Sequence, residues 1–178
     1  MNKTLIFCLS LIFSYFSQSV YADGNRYQIE ILVFSQNLPT SEVFDQTESK
    51  IQWPTALTEL SAYQQTDITS LKDGASVLLK DPAYQSIARF AWVQSTGPGN
   101  AILPVHIQST DGVLDGFIQL RNTQPFQLTL DLEQKSSSVN SSGRRYLYRV
   151  NEKRNINLNE IHYFDHPKVG VIVRVSGA

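Results

Sequence analysis

The chain has 178 residues, of which 42% are hydrophobic and 17% are charged, and its formal net charge at pH 7 is −1. This size and composition are typical of one globular domain, and the near-zero charge argues against a strongly basic nucleic-acid-binding protein. The chain has one cysteine, Cys8, so it has no framework of intramolecular disulfides.

The first residues have the pattern of a secretory signal peptide. Lys3 supplies an early positive charge, residues 5–16 form an apolar run, and small residues end the segment at Ala22. The apolar run is shorter than the ~20 residues that span a bilayer, and Cys8 lies inside it rather than at a lipoprotein cleavage point. We therefore expect cleavage after Ala22, which leaves residues 23–178 as a single exported α+β domain without stable membrane insertion.

The first part of this domain predicts one strand, a long wrapping segment and one helix. Residues 27–34 alternate and then become apolar on both faces, which is typical of a central strand covered on both sides. Residues 35–70 are polar and irregular, and we expect them to wrap the sheet and contribute Trp53 to it. Asp81 followed by Pro82 predicts a helix start, because Asp is a favoured N-cap and Pro a favoured first helical residue.

Strand patterns dominate the remainder of the chain. They occur at residues 91–94, 101–107, 144–150, 156–164 and 169–175, with two more between residues 117 and 132. The segment KSSSVNSSG, at residues 135–143, predicts a flexible, solvated loop. The prediction is therefore an α+β fold with a largely antiparallel sheet of about six to eight strands and one or two helices.

The segment EIHYFDHPKVG contains two of the chain's three histidines. On a strand Glu160 and His162 point the same way, and His166 with Asp165 could complete a metal site or orient an imidazole as a general base. Alternatively, His162 packs on the sheet, Asp165 bonds turn amides, and Pro167 fixes the entry to the last strand. Because no HExxH helix, nucleophile elbow or phosphate loop accompanies the cluster, the residues favour the structural interpretation.

Charge is distributed unevenly along the chain. Residues 144–178 contain seven Lys and Arg against three Asp and Glu. Such asymmetry is typical either of a surface that faces a polyanion or of oppositely charged strands paired within one sheet. The second interpretation is favoured.

Several aromatic and arginine residues are candidates for glycan contacts. Glycan binding combines the two types, because a sugar stacks through its C–H face while its polar edges need hydrogen-bond donors. The candidates are Trp53, Trp92, Tyr146, Tyr148 and Tyr163, with Arg144, Arg145 and Arg149.

Five segments occur in the order known from one protein family, namely YQIEILVF, DPAYQSIARFAWVQ, ILPVHI, GFIQLRNTQPFQLTLDL and YLYRVNEKRNINLNEIHYFDHPKVGVIVRV. Over most of residues 27–175 the chain resembles the CsiV family of periplasmic peptidoglycan-binding proteins of gammaproteobacteria. The most specific element is Glu-x-His-Tyr-x-Asp-His-Pro at residues 160–167, and the pair Trp92-x-Gln94 is the second. The chain departs from the family pattern at Val93, where a basic residue is expected, and at residues 153–155, which are less rich in arginine.

The resemblance implies a non-enzymatic accessory factor of cell-wall growth that is located in the periplasm and uses no cofactor or metal. Its implied partners are peptidoglycan and a penicillin-binding protein or the outer-membrane lipoprotein activator of such a protein, with no role for nucleic acid. The resemblance assigns no contact residues. From the residue types we hypothesise a contact surface that consists of Trp92, Gln94, Arg144, Arg145, His162 and Tyr163.

Two alternatives of other functional classes stay open. A metal-dependent cell-wall hydrolase would need Glu160, His162 and His166 to converge on one cleft. A protein-binding scaffold without glycan affinity would need a contiguous exposed apolar patch.

Overall fold

The computed structural model describes residues 25–95 and 102–178, so the expected signal peptide lies outside the described residues. Ten strands form two five-stranded sheets within these ranges. In spatial order, sheet A contains β3 (Gln64–Gln65), β4 (Tyr84–Ser95), β1 (Arg26–Gln36), β10 (Val169–Gly177) and β9 (Ile161–His166). In the same way, sheet B contains β2 (Thr58–Glu59), β5 (Val105–Gln108), β6 (Leu114–Arg121), β7 (Phe126–Val139) and β8 (Arg145–Ile156).

The largely antiparallel sheet structure is confirmed, but the strands are more numerous than predicted and form two sheets instead of one. Only the two-residue contact between β2 and β5 is parallel among the described pairings. One helix, α1 (Lys72–Leu78), and a 3-10 turn (Leu60–Ala62) complete the described elements. None of the helices in these parts of the chain is long and apolar enough to cross a bilayer.

The predicted helix start at Asp81 was wrong. The Asp81 carboxylate accepts the backbone N–H of Ala83 at 2.9 Å, but this bond closes a turn, and β4 begins at Tyr84. From there the chain pairs with β1 along its full length, up to Ser95 opposite Arg26. Tertiary strand pairing therefore overrides the local helix-capping signal.

The two sheets pack against each other around one hydrophobic core. Alternate residues of each strand point inward, as the period of two in a strand requires. Sheet A contributes Ile29, Ile31 and Val33 of β1 and Val171, Val173 and Val175 of β10, and sheet B contributes Leu128, Leu130 and Leu132 of β7. The fold is therefore a two-layer β-sandwich in which β1 and β10 occupy the middle of sheet A.

The outer face of sheet A is also covered, which confirms that β1 is a central strand buried on both sides. Leu32 and Phe34 of β1 pack there against Leu71 and Ala75 of the α1 region. Glu30 lies on the same face and is 1% exposed. Its carboxylate accepts the backbone N–H groups of residues 69, 70 and 71 at 3.0–3.1 Å. These bonds compensate the burial of a charge and fix the chain where α1 begins.

Two buried acids hold part of the long segment after β1 on the outer face of sheet B. Asp131 accepts two hydrogen bonds from the Arg149 guanidinium, at 2.7 and 2.8 Å, and one from the Gln52 backbone N–H at 3.0 Å. Glu133 accepts the Gln46 side-chain amide and the Lys50 backbone N–H, both at 2.7 Å. Arg149 and Asp131 lie on the paired strands β8 and β7, so opposite charges here do pair within one sheet.

Candidate functional site

A cleft of about 740 Å³ opens at one end of the sandwich, between the two sheets. Sheet A supplies the end of β1 and the beginning of β4, and sheet B supplies the end of β7 and the beginning of β8. The lining residues that the following paragraphs use are Gln36, Asp111, Gln134, Lys135, Ser136, Arg145, Tyr148 and Lys168. The cleft is therefore built from strand ends that only the completed sandwich brings together.

The lining carries more positive than negative charge. Lys135, Arg145 and Lys168 contribute three cations, and none of them forms an ion pair with a described residue. Asp111 is the one acid in the lining, and its carboxylate is occupied by the Ser109 hydroxyl at 2.6 Å and the Val113 backbone N–H at 3.0 Å. These two bonds hold the pKa of Asp111 below its usual range. At neutral pH the cleft therefore presents a net positive potential to a ligand.

Two of the cations are held in place by the backbone. Arg145 donates to the carbonyl oxygen of Ser136 at 2.9 Å, and Lys168 Nζ donates to the carbonyl oxygen of Leu38 at 3.1 Å. Neither bond neutralises the charge, since a carbonyl group carries no net charge. Both side chains are therefore oriented before a ligand arrives and still need an anionic partner.

The lining also contains a hydrogen-bond acceptor without a partner. Gln134 Oε1 is buried and accepts no hydrogen bond from any described residue. An unpaired buried acceptor costs about 1–3 kcal/mol, and a ligand N–H or O–H group that reaches it recovers part of that cost. On the neighbouring strand the Tyr148 hydroxyl is already bonded to Ser136 Oγ at 3.1 Å.

The segment EIHYFDHP lies directly behind one wall of the cleft. The side-chain amide of Gln36 donates to Tyr163 Oη at 3.1 Å, to Asp165 Oδ1 at 3.1 Å and to the carbonyl oxygen of His166 at 2.8 Å. The Tyr163 hydroxyl donates in turn to Asp165 Oδ1 at 2.6 Å. Burial and the neighbouring carboxylate raise the pKa of Tyr163, and the Tyr163 hydrogen bond lowers the pKa of Asp165. At neutral pH the hydroxyl therefore stays protonated and the carboxylate ionised, which keeps this network intact.

His166 supports the same wall through its ring. The ring centroid lies 5.2 Å from that of Phe44 and 5.8 Å from that of Tyr148. The backbone N–H of Lys168 donates to His166 Nδ1 at 3.1 Å, which makes this nitrogen an acceptor. Burial lowers the pKa of His166, so its imidazole is neutral at pH 7. These contacts agree with the structural interpretation of the segment.

The geometry does not assemble the residues that the hydrolase alternative requires. Glu160 accepts a hydrogen bond from the Asn157 side-chain amide at 3.0 Å, and His162 Nε2 lies 3.1 Å from the Asn157 carbonyl oxygen. His166 follows His162 by four residues on one strand, which is roughly 13 Å. Among residues 25–95 and 102–178, no three His, Cys, Asp or Glu side chains are placed to hold a metal ion.

The structure places Trp92 and Gln94 in the core. Trp92 is 0% exposed and Gln94 is 2% exposed. Trp92 Nε1 donates to Gln94 Oε1 at 3.1 Å, and the Gln94 amide donates to the Tyr63 hydroxyl at 3.2 Å and to the Leu103 carbonyl oxygen at 3.3 Å. The pair satisfies its own polar groups inside the sandwich and presents no surface to a glycan.

The other four hypothesised contact residues lie at separate places. Arg145 lines the cleft, whereas the neighbouring Arg144 is exposed and forms an ion pair with Glu48 at 2.8 Å. Tyr163 lies on the opposite side of the Gln36 wall, where its ring stacks on Phe34 at 6.2 Å, and His162 bonds to the turn before β9. The six residues therefore do not form one surface, and the basic residues of the last part of the chain do not form one patch.

Sequence patterns missed most of the cleft residues. Residues 135–139, predicted as part of a solvated loop, belong to β7, which continues to Val139 with a register shift against β8. They lie at a strand end, where serine and lysine carry no apolar alternation that could have indicated a strand. Gln36 and Gln134 carry no sequence signal, because their roles depend on partners that are distant in the sequence.

Comparison with known proteins places the chain in a family. Searches of curated proteins and of solved structures found no significant match. A family model described as "Peptidoglycan-binding protein, CsiV" matches residues 4–178, which is nearly the whole chain. This match confirms the resemblance that the ordered segments and the EIHYFDHP motif indicated. The chain belongs to the CsiV family of peptidoglycan-binding proteins.

Proposed function

We propose that the protein is exported to the periplasm, where it binds peptidoglycan through the cleft and acts as a non-enzymatic accessory protein of penicillin-binding proteins. Membership of a peptidoglycan-binding family supports the ligand. The observation that supports the position of the site is the set of three cations without ion-pair partners, Lys135, Arg145 and Lys168, around one cleft.

The size and chemistry of the cleft fit a small part of a large polymer. Ligand sites in proteins commonly enclose about 300–1,000 Å³, and the cleft of about 740 Å³ lies in that range. Peptidoglycan carries carboxylates, and charge-assisted hydrogen bonds from lysine and arginine to carboxylates are stronger than neutral ones. The cleft therefore suits one repeating unit of the polymer.

The accessory role follows from binding at one end of the sandwich. A protein that holds peptidoglycan there leaves the rest of its surface available to a synthase or to the lipoprotein activator of that synthase. Simultaneous binding of polymer and enzyme raises the effective concentration of one for the other without new catalytic groups.

Co-sedimentation with purified sacculi at low and high salt tests the proposal. A triple alanine variant at Lys135, Arg145 and Lys168 is expected to lose at least about tenfold in affinity at low salt. A matched triple alanine variant at Lys80, Arg121 and Lys153, three exposed cations outside the cleft lining, has the same net charge and is expected to bind normally. A chelator is expected to change neither result.

Two outcomes would overturn the proposal. Equal losses in both triple variants would mean that total charge, rather than the cleft, attracts the protein to sacculi. Capture of a penicillin-binding protein without any sacculus binding would instead support the protein-binding scaffold. The scaffold needs a contiguous apolar patch, whereas three of the large exposed apolar residues, Val77, Val139 and Ile161, lie on the separate elements α1, β7 and β9.

A further inference from the structure

The cleft offers no free aromatic face to a sugar. Tyr148 is the one aromatic residue among the described residues that line it. Its ring already packs against Phe44, at 5.3 Å between centroids, and against His166, and its hydroxyl is bonded to Ser136. Stacking of a sugar on this ring would require the loss of those contacts.

Exposed aromatic rings lie elsewhere. Trp53, which is 45% exposed, lies on the outer face of sheet B, with its ring 5.4 Å from that of His106 and 6.1 Å from that of Phe117. Tyr163, which is 42% exposed, stacks on Phe34 at the outer face of sheet A. Neither residue lines the cleft. The cleft therefore contains cations but no exposed aromatic ring, whereas a site that stacks sugars contains both.

In peptidoglycan, too, the charged groups are separated from the sugar rings. In the glycan strand the hydroxyl and acetamide groups are neutral, and the lactyl carboxyl of each muramic acid is consumed by the amide bond to the peptide. The free carboxylates lie on the peptide stem, at the γ-linked glutamate, at diaminopimelate and at the last residue.

We propose that the cleft recognises the peptide stem of peptidoglycan through its carboxylates, with Lys135, Arg145 and Lys168 as the charge partners. This inference rests on the proposed function and specifies which part of the polymer the cleft binds. Lys135 and Arg145 belong to sheet B and Lys168 to the turn between β9 and β10 in sheet A, so the cations can engage more than one carboxylate of a bound stem.

Isothermal titration calorimetry with four defined probes tests the inference. The probes are the disaccharide-tetrapeptide muropeptide, the free tetrapeptide L-Ala-γ-D-Glu-meso-diaminopimelate-D-Ala, the same tetrapeptide with its carboxylates converted to carboxamides, and glycan strands from which an amidase has removed the peptides. The free tetrapeptide is expected to bind within about threefold of the muropeptide. The amidated tetrapeptide and the bare glycan strands are expected to bind at least about tenfold more weakly.

One substitution pair connects this selectivity to the cleft. Arg145→Met keeps an unbranched, flexible side chain, although a shorter one, and removes its charge; it is expected to weaken tetrapeptide binding about tenfold, while Arg145→Lys restores part of the affinity. Arg121→Met, at the far end of β6, is expected to leave binding unchanged. Equal losses in Arg145→Met and Arg121→Met would overturn the assignment to the cleft.

The results distinguish failure of this inference from failure of the proposed function. If bare glycan strands bind as tightly as the muropeptide and the free tetrapeptide does not bind, the inference is wrong and peptidoglycan binding stands. If the amidated tetrapeptide binds as tightly as the free one, the inference that the cleft recognises carboxylates is wrong. If neither sacculi nor any of the four probes bind, the proposed function fails as well.

Discussion

The side-chain amide of Gln36 donates a hydrogen bond of 3.1 Å to the hydroxyl oxygen of Tyr163, although 127 positions separate the two residues in the chain. Gln36 lines the cleft, whereas Tyr163 lies behind it in the EIHYFDHP segment. Tyr163, Asp165 and His166 of that segment therefore position one wall of the site.

Tyr163→Phe tests this positioning role. The substitution removes the hydroxyl that donates to Asp165 and accepts from Gln36, so it is expected to lower the free energy of unfolding by about 1–2 kcal/mol in urea denaturation. Tyr146→Phe is the matched control, because this residue on β8 is also partly buried and its hydroxyl forms no hydrogen bond with the described parts of the chain. Similar losses in the two variants would mean that the network contributes nothing specific.

The stability lost in Tyr163→Phe is expected to depend on pH. The Tyr163 hydrogen bond lowers the pKa of Asp165 in the folded state below the ordinary aspartate value of 3.8, despite the opposing effect of burial. The resulting stability is present above pH 3.8 and is lost as the pH falls through the folded-state pKa. The stability difference between wild type and Tyr163→Phe should therefore shrink below pH 3.8, and a constant difference down to pH 2 would contradict this.

The two tryptophans are expected to respond differently to truncation. Trp92 is 0% exposed, so Trp92→Ala should lower the free energy of unfolding by about 3–5 kcal/mol. Trp53→Ala removes a ring that is 45% exposed and should cost less than half as much. Each variant keeps one tryptophan as a fluorescent reporter of urea unfolding, since the chain contains two. If Trp53→Ala destabilised the protein as strongly as Trp92→Ala, the burial of Trp92 in the core would not explain the loss of stability in Trp92→Ala.

Gly116→Ala is expected to be among the most damaging small substitutions. Gly116 has a φ of +146°, and an added Cβ would lie 2.1 Å from the Asp131 carbonyl oxygen and 2.7 Å from Leu132 Cα. Because both atoms belong to the backbone of β7, relief requires sheet B to separate locally, at a cost of more than about 4 kcal/mol.

Gly112→Ala is the comparison for this prediction. Gly112 also has a positive φ, +66°, but nothing lies within 4 Å of an added Cβ. Gly112→Ala should lower the free energy of unfolding by about 1–2 kcal/mol, which is the cost of the left-handed conformation alone. Thermal unfolding of the two variants checks the difference, and equal melting temperatures would show that the approach of β7 to Gly116 is unimportant.

His106 is expected to contribute a pH-dependent part of the stability. Its Nε2 lies 2.8 Å from Asp115 Oδ1 and its Nδ1 lies 2.9 Å from Glu59 Oε2. Burial by itself would lower the pKa of His106, but the hydrogen bonds and charges of Asp115 and Glu59 outweigh it and raise the pKa above 6.5. The stability from these pairs is therefore fully present below pH 6.5 and is lost as the pH rises through the folded-state pKa.

Unfolding of wild type and His106→Gln at pH 6 and pH 9 measures this contribution. Because Glu59 is 66% exposed, the wild-type advantage at pH 6 should be at most about 1 kcal/mol, and it should decrease by pH 9. An advantage that grew with pH would contradict the direction of the shift.

Strands with strong apolar periodicity could be predicted from the sequence, whereas the division into two sheets could not. Residues 27–34 and 169–175 became β1 and β10, and most of their side chains are buried, because a run of apolar residues is a signal that a few neighbouring positions carry. Their antiparallel pairing with each other depends on contacts between distant residues, which a local pattern does not encode.

The site was predictable only in part, for a related reason. Arg145 was a candidate because of its charge, and the structure places it in the cleft. Trp92 and Gln94 were candidates because of their residue types, but burial decides whether an aromatic residue binds a ligand or packs in a core, and residue type alone does not reveal burial. Lys135 and Ser136 were assigned to a loop, since a strand end made of lysine and serine has no apolar alternation.

The pairing of β1 with β10, from Tyr27 opposite Gly177 to Ser35 opposite Val169, has a consequence for biogenesis. The earliest described strand can complete its hydrogen bonds only when the last strand along the sequence is present. Without β10, the apolar faces of β1 are exposed and β9 lacks its sheet neighbour. Exposed apolar surface and unpaired strand edges of this kind favour aggregation, so β1 and β10 are expected to pair in the same folding step.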